Sequence, residues 1–129
     1  MVNKFATCLN CMDGRTQLPV INWIKTKYDV DYVDMITEAG MVGLLSSEKY
    51  DIRLLKKLNI STDDHGSELI FIVGHHDCAG NPVSDELHKK QIIVAVNIFN
   101  AIIPSLEVIG LWLDENFEVS EVDLSTFSP

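Results

Sequence analysis

The stretch Leu69-Ile70-Phe71-Ile72-Val73-Gly74 is apolar without interruption and runs straight into His75-His76-Asp77-Cys78. No other feature restricts this chain more. A strand that alternates polar and apolar residues can lie on a half-wet sheet, whereas one with no polar side must be covered from both directions. Such cover is the situation of a parallel sheet with helices packed above and below it. The rest of the chain must therefore supply helices, and it must supply further strands at their side.

It supplies both, in alternation. Residues 4–9 read as a short strand ending in the turn-rich Asn10-Cys11-Met12-Asp13-Gly14-Arg15. Leu18, Ile21, Ile24 and Tyr28 recur at helical spacing, which predicts a helix over 18–28. A second strand is expected over 31–37, a glycine-containing loop over 38–43 and a helix over 46–58. The buried strand occupies 68–74. The next helix starts at Asn81-Pro82 or at Ser84-Asp85-Glu86, continues through Ile103 and stops at Pro104. Its middle, Ile92 to Val96, is apolar on nearly every side, so either the core or a second subunit must cover it. Two last strands, 107–114 and 117–122, form an antiparallel pair. The expected fold is α/β: one domain over 1–129, a mostly parallel open sheet of about five strands, helices on both faces.

Composition excludes several functions. The 129 residues carry a formal charge of −9, and phosphate is repelled by such a chain, so nucleic acid is not an expected partner. The short basic clusters, Arg53 with Lys56-Lys57 and His88-Lys89-Lys90, read as solvated helix faces. The longest apolar run, from Ile92 to Ile103, is interrupted by Asn97 and Asn100 and falls well short of the ~20 residues that span a bilayer. The opening Met1-Val2-Asn3-Lys4 meets Cys8, Cys11 and Asp13 too soon for a leader peptide, so a cytoplasmic location is expected. Three cysteines in a reducing compartment point to metal, redox work or plain burial.

Open parallel sheets bind ligands beyond the carboxyl ends of their strands. The first strand delivers Cys11, Asp13 and Arg15 to such an end, and the third delivers His75, His76, Asp77 and Cys78. Should those strands be neighbours, Cys11, His75 and Cys78 meet. Two thiolates and an imidazole suit Zn2+, and three protein ligands leave a fourth corner where water can be activated. A structural zinc site, or a buried cysteine beside a surface histidine pair, would produce the same spacing. Asp13 and Arg15 can form a bidentate pair that keeps the carboxylate ionised and off the metal. D-G-R alone is also a common turn with an exposed arginine.

Taken together, Cys11-Met12-Asp13-Gly14-Arg15 resembles the C-x-D-x-R motif of β-class carbonic anhydrases, and His75-His76-Asp77-Cys78 resembles their H-x-x-C motif. The likeness runs from about Lys4 to Val122, with Glu38-Ala39-Gly40 where that family has Asn-Ala-Gly. It implies zinc on Cys11, His75 and Cys78, a gating dyad of Asp13 and Arg15, and reversible hydration of carbon dioxide to bicarbonate by zinc-bound hydroxide. It also implies a homodimer or higher homo-oligomer acting on a small-molecule substrate. His76 or His65 would then be the candidate proton shuttle. Thr37-Glu38 departs from the family's Arg-Asn, which admits two alternatives: a non-catalytic, zinc-holding protein for bicarbonate or another small anion, or a hydrolase of carbonyl sulfide or carbon disulfide. A rival stands in Cys8-Leu9-Asn10-Cys11, whose C-x-x-C spacing can mark a redox pair. Cys8, however, falls inside the expected strand, and a redox pair leaves His75 and Cys78 without a task. Trp23, Phe99 and Trp112 lie on core stripes, and Asp63-Asp64-His65 reads as a solvated turn.

Overall fold

The computed structural model describes residues 3–125. Residues 1, 2 and 126–129, which the one-domain expectation takes in and the leader-peptide reading begins from, lie outside that range. In chain order the elements are β1 (Phe5–Asn10), α1 (Gly14–Tyr28), β2 (Tyr32–Thr37), α2 (Met41–Ser46), α3 (Ile52–Asn59), β3 (Leu69–His75), α4 (Asp85–Ile102), β4 (Glu107–Leu113) and β5 (Val119–Glu121). The five strands form one sheet in the order β2-β1-β3-β4-β5. Only the β4–β5 pair is antiparallel.

Strand alternation sorts the core into two layers. Ile70 and Ile72 point to the side covered by α2, α3 and α4, where they meet Leu45, Leu58, Ile92, Val96 and Phe99. Phe71 and Val73 point to the α1 side, among Ala6, Cys8, Val20 and Ile24. The uninterrupted apolar run is thus buried from both directions, as its composition demands. The helix α4 answers the question its middle raised: Ile92, Ile93, Ala95 and Val96 are buried within this chain, as is Phe99 further on, and between Ile92 and Val96 only Val94 faces outward.

Several boundaries differ from expectation; the last strand is only Val119–Glu121, and the larger differences have local reasons. α1 starts four residues before Leu18, because Asp13 caps it and its first turn is polar although Thr16 is buried. The helix expected over 46–58 is two helices. Met41, Val42 and Leu45 already form an apolar stripe, so the expected loop over 38–43 becomes the start of α2. The chain then breaks at Glu48, with φ 56°, and Asp51 caps α3 by accepting a hydrogen bond from the Arg53 N–H at 2.8 Å. Asp63-Asp64-His65 is exposed, as a solvated turn would be; residues 60–64 form a π-helical turn, and His65 is in addition tied to Asp34 at 2.7 Å and stacks on Phe5. Asp34 also accepts from Ser61, which meets Thr7 in a buried hydroxyl chain.

Two loops touch where α2 begins and β3 ends. A Cβ on Gly40 would lie 2.3 Å from the Gly80 carbonyl oxygen, and Gly40 has φ +65°, a conformation side chains disfavour. Gly40→Ala is expected to destabilise the protein by about 1–3 kcal/mol or more, measured as the shift in the urea unfolding midpoint at constant slope.

Candidate metal centre

Sheet order puts the site together. The chain leaves β1 for β2 on one side and returns to β3 on the other, so the carboxyl ends of β1 and β3 flank the point where the strand order reverses. Cys11 follows β1 directly. His75 is the last residue of β3, and Asp77, with φ 58°, turns the chain back so that Cys78 faces them. All three side chains are buried, and their ligand atoms lie within 4.8 Å of one another. The two Sγ atoms are 3.9 Å apart.

The imidazole is oriented for lone-pair donation. Its Nδ1–H donates to the His76 carbonyl at 2.8 Å, which leaves Nε2 as the bare acceptor. That Nε2 is buried and meets no hydrogen-bond partner. An orphaned acceptor beside two converging sulfurs is costly unless something electrophilic sits between them. A tetrahedral zinc ion matches this donor set, and the carbonyl behind Nδ1 is the usual outer support of a metal-binding histidine. The group can therefore hold a metal ion.

Each cysteine meets a different environment. Burial opposes ionisation of Cys11, but His75 together with the Gly40 and Asp13 backbone N–H groups outweighs it and brings the thiol down to about 7. Cys78 is pushed up by burial and by the proximity of Cys11, with the Asn81 and Gly80 N–H groups acting in the other direction. Cys8 is wholly buried among apolar side chains on the α1 side, and burial drives its thiol far above the ordinary range. It offers no thiolate for a redox pair with Cys11.

Asp13 stands beside the trio with both oxygens on Arg15. Oδ1 accepts from the Arg15 backbone N–H at 2.9 Å and from Nε at 3.1 Å, and Oδ2 accepts from Nη2 at 2.7 Å. Hydrogen bonds from that guanidinium hold the carboxyl down to about 2. The side chain doubles as the cap of α1, so the helix start and the dyad are one structure. Gln17, which sequence reading passed over, ties the same corner by donating to the Cys11 and Asp13 carbonyls at 2.8 and 2.9 Å.

Other residues land elsewhere than expected. His88 is no part of a solvated basic face: it is buried, 6.4 Å from His75 and packed edge-on to Trp112, and burial lowers it to about 4. Its helical spacing to buried Ile92 was the available signal. His76 lies next to the site and pairs with Asp85 at 2.8 Å. His65 precedes β3, at the opposite end of the sheet and roughly 20 Å away along a seven-residue strand, so it is no shuttle for this centre.

A family model described as "Putative carbonic anhydrase" matches residues 1–123 of the chain. No curated protein sequence matches it. Among solved structures, the chain is similar to the carbonic anhydrase of Streptococcus mutans, at 16% identity and a TM-score of 0.65, over 94% of this chain and 83% of that one. It is similar to the β-carbonic anhydrases of Sordaria macrospora, described as tetrameric, at 12% identity and 0.66, over 95% and 81%. A carbon disulfide hydrolase in its apo form matches at 12% identity and 0.58, over 99% and 85%. At such identities the likeness is one of fold.

Metal uptake must displace thiol protons, so zinc affinity is expected to rise with pH through about 7, where Cys11 ionises, and to keep rising until Cys78 has lost its proton. Chelator competition across that range measures the slope, and Cys11→Ser, His75→Ala and Cys78→Ser should each abolish stoichiometric binding. Asp13 is held down chiefly by hydrogen bonds from the Arg15 side chain, against the effect of burial, with the Arg15 backbone N–H and the charge of His75 adding to them. In Arg15→Gln, which keeps the backbone N–H, its carboxyl, observed by carbonyl NMR in the metal-free protein, should titrate clearly above about 2, toward the ordinary ~3.9.

Proposed function

The chain belongs to this carbonic anhydrase family, and on that premise we propose that it is a zinc enzyme catalysing the reversible hydration of carbon dioxide to bicarbonate. The observation that carries the reading is the buried convergence of Cys11, His75 and Cys78, with an unpartnered Nε2 and, among the described residues, no fourth protein donor in the group. Zinc held there would supply Lewis acidity, which makes water a nucleophile near neutral pH.

The chain's own residues do the remainder. Cys11, His75 and Cys78 are the metal ligands, each held by backbone: N–H groups of Gly40 and Asp13 on Cys11, of Gly80 and Asn81 on Cys78, and the His76 carbonyl on the imidazole. Asp13 is the acceptor that orients the attacking water. Because Arg15 keeps it ionised at every pH at which the enzyme works, it can accept a hydrogen bond without taking up the proton. Arg15 also occupies both carboxylate oxygens, which keeps Asp13 out of the open corner. His76, half-exposed and paired with Asp85, is placed to pass a proton to solvent.

The same chemistry serves carbonyl sulfide or carbon disulfide, which are likewise small linear electrophiles, and the fold likeness to a carbon disulfide hydrolase favours testing them in parallel. A homo-oligomer is proposed with the function, supported by the tetrameric state described for the Sordaria relatives, and light scattering measures it. The domain is proposed to span residues 1–129.

Stopped-flow hydration by the zinc-loaded protein between pH 6 and 9 tests the reading. Asp13→Asn, which keeps shape but loses charge, should retain zinc and lose roughly 10²–10⁴ in kcat. Full zinc occupancy without turnover of any of the three substrates would leave only a binding role.

A further inference from the structure

Four described residues other than glycine take up left-handed backbone: Asp29, Glu48, Asp77 and Phe117. Asp29 is the C-cap of α1, and Glu48 follows the C-cap of α2. The other two sit in separate loops, one between β3 and α4 and one between β4 and β5. Both touch the same guanidinium. Arg15 donates from Nη1 to Asp77 Oδ2 at 3.4 Å and from Nη2 to the Asp77 carbonyl at 3.2 Å, while its Cζ lies 4.9 Å from the centre of the Phe117 ring.

For a phenylalanine that conformation is a real outlier, tolerated only where surrounding bonds impose it. Here they do. The Phe117 N–H donates to the Asp114 carbonyl at 2.9 Å, and Asp114 Oδ1 accepts from the Asn116 and Glu118 N–H groups at 2.9 and 3.0 Å. The turn is built so that an aromatic ring, rather than an asparagine or glycine, occupies its left-handed position over Arg15. The arginine needs such support. Its side chain is 48% exposed, and an exposed ion pair on a long, flexible stem holds little geometry by itself. A ring against one face of the guanidinium excludes water there and strengthens the attraction, and Asp77 takes the N–H groups that Asp13 leaves over.

We propose that Phe117 and Asp77 are positioning residues that clamp Arg15 onto Asp13 and so fix the direction in which the Asp13 carboxylate points. The proposal rests on the catalytic reading above for its consequence, but the clamp itself is open to separate observation. Neither residue touches the reacting atoms. Both act through Arg15, from loops that carry no metal ligand (Phe117) or one next door (Asp77, beside Cys78).

Asparagine tolerates left-handed backbone, so Phe117→Asn, Asp77→Asn and the double variant remove the ring and the charge while easing the turns. In metal-free protein, the Arg15 Nε–Hε signal, assigned by its loss in Arg15→Lys, reports the clamp through its ring-current shift and its exchange with water. In the double variant the ring-current shift is expected to vanish and exchange to quicken about tenfold. In the zinc-loaded protein kcat should fall by on the order of tenfold with KM nearly unchanged, the mark of lost orientation rather than lost binding. Phe117→Tyr, which restores the ring, should recover both readouts. An Arg15 signal that keeps its shift and exchange rate in the folded double variant overturns the clamp, and a loosened Arg15 with undiminished kcat overturns its positioning role. A parent protein that turns over no substrate defeats the catalytic reading instead, and the NMR comparison still decides whether Arg15 is clamped.

Discussion

The parallel pairing of β1 with β3 is the interaction on which the rest depends. Its register, with Leu9 opposite Ile72, brings Cys11 to the level of the His75 turn. A slip by one residue would exchange the two faces of β1, sending Leu9 to the α1 side and Cys8 to the other. It would also carry Cys11 away from the imidazole. The apolar contacts that forbid this slip, on both sides of the sheet, are therefore what sets the distances at the site. Core packing and metal-site geometry are here the same constraint viewed at two ends of a strand.

Much of this was legible from the residues. A strand without a polar side calls for helices above and below, and the two chemistry-bearing segments each follow a strand, so their meeting needs only that those strands be neighbours. What escaped reading was decided by contacts distant in sequence. His88 lies among lysines and looks like surface, but the missing side chain at Gly74 leaves room for its ring beneath the sheet end. Asp63-Asp64-His65 is the wet turn it looks like, but that Asp34, on another strand, takes up the histidine was not legible. The division of α2 from α3 was hidden for a different reason: glycines at 40 and 43 suggest a loop, although Gly40 is there to start a helix and Gly43 to clear Asn81.

The three cysteines show how little residue type says about reactivity. All are buried, yet one thiol is drawn down to about 7, one is pushed up by its neighbour, and one is placed beyond reach of ionisation. The difference lies in backbone N–H groups and in a single imidazole. The C-x-x-C spacing offered Cys8 with Cys11 as a rival, whereas space brings Cys11 to Cys78. A strand alternates its sides, and Cys8 is committed to the α1 layer of the core.

Contact between Gly40 and Gly80 joins the two sulfur environments mechanically. One loop sends an N–H to Cys11 and the other sends an N–H to Cys78, and no side chain fits in the seam between them. Neither loop can be lengthened or bent alone without pressing on its counterpart. A change in either loop therefore bears on the N–H groups that both sulfurs receive.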